Sequence, residues 1–95
     1  MPCIRIRTNG EATIWRVLRG RARIHLERYA EAEADLAEVV RHAPTNVWAL
    51  LEHAVALNNL GRRTEALREL DRAYALNRDY PGVAELRRRL RATAH

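Results

Sequence analysis

Along most of the chain apolar residues recur every three or four positions, the spacing of one face of an α-helix. The beginning is the exception. Cys3-Ile4-Arg5-Ile6-Arg7-Thr8 alternates as a strand would, and Asn9-Gly10 then signals a turn. A lone strand has nothing to pair with, so residues 1–10 are expected to be a loose or extended leader, or the boundary of a longer parent. From about Glu11 the period becomes helical, with Ile14, Trp15, Val17, Leu18, Ala22 and Leu26 on the apolar side of a first helix. A second helix is predicted from Tyr29 to His42 with Ala32, Leu36, Val39 and Val40 inward, and Pro44 stops it from continuing. A third spans about Thr45 to Leu60 and is closed by Gly61, a C-cap residue. The fourth covers about Thr64 to Leu76, with Ala66, Leu70, Ala73 and Tyr74 inward. A fifth opens near Pro81, a good first-turn residue, and carries Val83, Leu86 and Leu90 in one stripe.

Two of these helices say where they sit. The third shows Val47, Trp48, Leu50, Leu51, Ala54, Val55, Leu57 and Leu60 around most of its circumference. A helix apolar nearly all round has neighbours on more than one side, which suits the middle of a five-helix array. The fifth has a single stripe, with Arg87, Arg88 and Arg91 elsewhere, as a terminal capping helix should.

Sliding the chain on itself by 34 residues superposes Ala22 on Ala56, Leu26 on Leu60, Arg28 on Arg62, Glu31 on Glu65, Ala32 on Ala66 and Leu36 on Leu70. Gly20 falls opposite Ala54, and Val39 opposite Ala73. Small residues allow backbones to approach at helix crossings, and leucines fill the layer between them. At these residues the chain resembles tandem tetratricopeptide repeats. Repeat one, 13–46, supplies Gly20, Tyr29, Ala32, Leu36, Val39 and Pro44. Repeat two, 47–80, supplies Ala54, Leu57, Leu60, Gly61, Ala66, Leu70 and Ala73, and residues 81–94 form the cap. Trp15 sits one residue off the usual aromatic position, Arg23 replaces an aromatic, and Arg78 replaces the second proline. The expected fold is all-α: antiparallel helix–turn–helix pairs stacked as a short right-handed α-solenoid of about five helices, over residues 11–95.

Composition narrows the function. The chain has 95 residues, enough for one small domain, and its net charge of +5 comes from 17 basic and 12 acidic residues. Every basic residue is Arg. The charge is blocked: residues before Leu26 are basic, Glu27, Glu31, Glu33, Asp35 and Glu38 form an acidic stretch, and Arg87, Arg88, Arg89 and Arg91 return to basic. One cysteine, Cys3, excludes an internal disulfide framework and suits a reducing compartment, with cytoplasmic the default location. No apolar run is long enough to span a membrane.

No catalytic apparatus is visible. His25, His42, His53 and His95 share no metal-binding spacing with one another or with Cys3, and are expected on surfaces or at interfaces. There is no phosphate loop and no nucleophile elbow, so no cofactor, metal or enzymatic activity is expected. The arginines at 87–91, with Arg62 and Arg63, could meet phosphates. Glu85 lies one turn before Arg88 and Arg89, however, and no aromatics are interleaved for stacking, which favours a solvated helical face over nucleic acid.

Resemblance to the repeat family implies that the inner faces of the first helix of each pair bind an extended peptide or a partner helix. The positions are Ile14, Val17, Arg21, Ile24 and His25, then Trp48, Leu51, Val55, Asn58 and Asn59. Apolar groups would bury partner side chains, and the asparagine amides would bond a peptide backbone. Some family members grip a C-terminal carboxylate with a Lys/Asn clamp, and Val17, Arg21 and Glu52 stand at those positions here. Two alternatives stand beside the groove. Trp48, Leu51 and Val55 can equally be helix-packing core. Two repeats also leave the first helix uncapped, so Trp15 and its neighbours would suit another copy of the chain in a self-associating scaffold, or the chain would be a module of a larger regulatory protein.

Overall fold

The computed structural model describes residues 9–92. The strand-like leader segment Cys3–Thr8 and His95 lie outside them. The helices are α1 (Asn9–His25), α2 (Tyr29–His42), α3 (Val47–Asn59), α4 (Arg63–Leu76) and α5 (Val83–Ala92). Each packs against the next, and α1 also touches α3, which makes an all-α helical repeat. The ends of α1, α3, α4 and α5 differ from expectation by one or two residues, and two of these changes alter local structure. Asn9-Gly10 forms the first turn of α1 instead of a turn before it. Pro81 precedes α5, in a turn closed by Val83 N–H to the Tyr80 carbonyl at 3.2 Å, with Gly82 at φ +93°.

The repeat is visible in the caps. α3 ends with Leu60 as C-cap, and the N–H groups of Gly61 and Arg62 return to the carbonyls of Asn58 (3.0 Å) and Leu57 (2.9 Å). This paired closure needs a left-handed residue at its centre, and Gly61 supplies it at φ +82°. Thirty-four positions earlier, Glu27 and Arg28 bond Ile24 (2.9 Å) and Arg23 (2.8 Å) in the same way, so Glu27 is forced to φ +62°. A side chain at that φ costs about 1–2 kcal/mol that glycine does not. Asn46 caps α3, its side-chain oxygen accepting from Ala49 N–H at 3.0 Å.

The core follows the small-residue logic. A Cβ on Gly20 would lie 2.6 Å from Leu36 Cγ, so α1 and α2 cross at a distance only glycine permits. In the second pair Ala54 and Leu70 occupy the same stations, both fully buried in one cluster. α3 is the central helix, burying Ala49, Leu50, His53, Ala54, Ala56 and Leu57. α1 departs from expectation. Of its apolar side only Val17 is fully buried, while Ile14, Trp15, Leu18 and Leu26 are exposed. Among the described residues α1 packs mainly against α2 and α3, and the side that carries Trp15 and Leu18 faces solvent.

Candidate partner-binding face

The first helices of the two pairs and the cap, α1, α3 and α5, contribute one shared face. Part of it is a cleft of about 320 Å³ between α3 and α5, lined by Leu51, Glu52 and Val55 on one side and Gly82, Glu85, Leu86 and Arg89 on the other. Leu51 is also packed against both core clusters, so it forms the floor. Gly82 borders the cleft with its absent Cβ only 3.5 Å from Leu51 Cδ2, and its positive φ suits glycine. Glu52 links this cleft to α1. Partial burial pushes its carboxyl pKa up, opposed by the Arg21 charge, the Trp48 indole N–H and His25. Arg21, His25, Trp48 and Glu52 therefore lie in one electrostatic neighbourhood.

The expected groove residues divide. Leu51 and Val55 meet in the cleft, and the Trp48 indole and the Arg21 charge both act on Glu52. Val17 is a correction: it is fully buried in the core and offers no surface. Ile24 is half-buried against the same core. The row Val17–Gly20–Ile24 recurs at i, i+3, i+7 and turns toward α2, one step round from the row that looks outward. Asn59 is exposed, and its amide donates to the Val55 carbonyl of its own helix at 2.8 Å. Asn58 is half-buried. Glu52, Glu85 and Arg89 were missing from the expected set, because charged residues on α3 and α5 carry no periodic signal of their own.

A second polar feature lies on the other side of α3. His53, expected on a surface or an interface, is buried where α2, α3 and α4 meet. Its Nδ1 is 2.8 Å from Glu69 Oε1 and its Nε2 is 3.1 Å from Glu33 Oε2. Both neighbours are carboxylates, so the arrangement favours the protonated ring, in which both nitrogens donate. Burial alone would push its pKa down, but the hydrogen bonds and charges of Glu69 and Glu33 outweigh it and the pKa lies above the ordinary value. Arg62 approaches Glu33 at 3.8 Å and bonds Glu65 at 2.7 Å.

The same station in each first helix carries a base at intervals of 34: Arg19, His53 and Arg87. Arg19 bonds both oxygens of Asp35 on α2 (3.2 and 3.1 Å), as His53 bonds Glu69 on α4. Asp35 also takes Arg23 at 2.6 Å. Arg87 reaches back to Asp71 on α4 at 2.7 Å and lies over the Tyr74 ring at 4.4 Å. Arg62 and Arg87 are thus engaged within the fold, which weakens the phosphate-binding reading of the arginine clusters. Among the described residues no group of His, Cys, Asp and Glu is arranged to hold a metal ion, and no helix is long and apolar enough to cross a membrane.

A family model described as tetratricopeptide repeat matches residues 23–90. No curated protein matches the chain significantly.

Proposed function

The chain belongs to the tetratricopeptide repeat family, and from that premise we propose that it is a non-catalytic protein-interaction module taking an extended peptide or a partner helix on the face of α1, α3 and α5. The family generally mediates protein–protein interactions. The observation that carries the reading is the α3–α5 cleft: an apolar floor of Leu51, Val55 and Leu86 rimmed by Glu52, Glu85 and Arg89. Such a site buries a partner's apolar side chain while the rim charges set its orientation. Arg21 and Trp48 extend it toward α1. Glu52 is already partly desolvated, so a ligand that covers it raises the cost of its ionisation further. The single cysteine supports a reducing, cytoplasmic setting for the interaction.

The test is selection of binders from a random displayed-peptide library, followed by mapping on variants. Capture should be lost in Val55→Arg and weakened in Arg21→Ala, with helicity unchanged by circular dichroism. Peptides that bind both folded variants as they bind the parent would sink the groove.

A further inference from the structure

The three first helices present the same triplet of positions at intervals of 34: Trp15, Arg19 and Ala22 on α1; Ala49, His53 and Ala56 on α3; Val83, Arg87 and Leu90 on α5. On α3 the triplet is buried, its two alanines clustering with Ala32, Leu36, Val39 and Val40 of α2. On α5 Val83 and Leu90 are buried, and α4 is the helix packed most closely on α5. In both cases the preceding second helix brings an acid to the central base: Glu33 of α2 to His53, and Asp71 of α4 to Arg87. On α1 the triplet lies open. Trp15 is 70% exposed, and with Arg16, Leu18, Arg19 and Ala22 it lines a shallow cleft of about 620 Å³.

Charge says what would cover it. Asp35 is shared by Arg19 and Arg23, so two guanidiniums face one carboxylate, and Arg16 adds another positive charge beside them. A second folded copy is a poor occupant, since the apolar side of its acidic α2 is already buried and only α1 or α5 would be left to meet this face. Pairing α1 with α1 about a two-fold axis would bring Arg16 and Arg19 against their own images. Stacking α1 on the far end of another copy would set it against α5 with its exposed Arg88 and Arg91. The faces of α3 and α5 are covered by helices that offer small or branched apolar residues and one carboxylate.

We infer that the open face of α1 is a docking site for an acidic amphipathic helix of a partner protein, lying across Trp15, Leu18 and Ala22 with a carboxylate at Arg19, as α2 lies across α3. Trp15 stands where α3 has Ala49, so it projects as an aromatic anchor into the partner in place of permitting close backbone contact. The site does not rest on the α3–α5 cleft, and substitutions there leave it intact.

The probe is a peptide of the α2 sequence Tyr29–His42, held helical by a covalent link between its solvent-facing positions 30 and 34. It is titrated into the isotope-labelled full chain and followed by NMR. The expected result is saturable binding that moves the Trp15 indole N–H and the amides of Leu18, Arg19 and Ala22. Affinity should fall about tenfold in Trp15→Ala, the loss of a typical aromatic anchor. A similar fall is expected in Arg16→Glu and when the peptide's Glu33, Asp35 and Glu38 are replaced by amides. Three results would overturn the inference: no binding, equal binding of the amide peptide, or shifts centred on Leu50 and Leu51 with Trp15 unmoved. A dimer of the free chain in sedimentation velocity that Trp15→Ala abolishes would also overturn it, by making a second copy the occupant.

Discussion

α1 and α3 hold the same place in successive helix pairs, and they differ most in what surrounds them. α3 lies between α2 and α4 and buries six residues, including two of the largest fully buried side chains, Leu50 and Leu57. α1 packs on α2 and more lightly on α3, and among the described residues its largest apolar side chains remain outside. The register of each helix is local and comes from its own period. How much apolar surface it hides depends on the number of neighbours, which is a property of position in the array. An apolar side chain on a terminal helix is thus weak evidence of core and better evidence of an interface.

The contrast yields measurable consequences. The largest separates the buried side of α3, at Leu50, from the open face of α1, at Trp15. Leu50→Ala should cost about 3–4 kcal/mol of unfolding free energy, because the buried methyls leave a cavity. Trp15→Ala on the open face of α1 should change stability by less than ~0.5 kcal/mol despite the larger side chain. Urea denaturation of both variants decides the matter, and equal losses would mean that α1 is covered within the monomer.

Next come the two bases. His53→Ala strands Glu33 and Glu69, both largely buried, and should cost about 3 kcal/mol. The parent protein should also lose stability with rising pH. The folded pKa of His53 is above its ordinary value of 6.5, so the native state binds more protons. The stabilisation is complete below that value and disappears as pH rises through the folded pKa. His53→Gln should flatten the pH dependence of Tm across that window. A Tm that rises with pH there in the parent would contradict the triad.

At the helix crossings, Gly20→Ala should destabilise by about 1–3 kcal/mol, because its Cβ meets Leu36 Cγ at 2.6 Å. Ala54→Gly in the second pair should cost less, ~1 kcal/mol, through backbone entropy and a lost methyl. The smallest effect separates the two closures. Glu27→Gly should stabilise by about 1 kcal/mol by relieving a left-handed side chain, and Gly61→Glu should destabilise by a similar amount. Thermal unfolding of the pair checks both signs.

Much of this was legible in the residues themselves. α2 has the predicted ends, Tyr29 and His42. The other helices differ by one or two residues at a boundary, where capping competes with period. The central place of α3 was legible because an all-round apolar helix has few other solutions. What escaped was pairwise and polar. Arg19, His53 and Arg87 lie in register at 34-residue spacing, as do Asp35 and Glu69, but no two members one repeat apart are identical, so a comparison by identity at 34 residues passes over them. Their chemistry, a base bonded to an acid of a neighbouring helix, emerges only when helices distant in sequence are brought together.

The residues alone therefore settled the helices, their order and the repeat, because period, caps and small residues act within one or two turns of chain. The fold settled burial and partnership. It put Val17 in the core and Trp15 in solvent, made His53 a hydrogen-bonded bridge between three helices, and set Leu51 and Val55 opposite α5. Each of those outcomes depends on whether another helix occupies the adjoining space, and no local pattern contains that information.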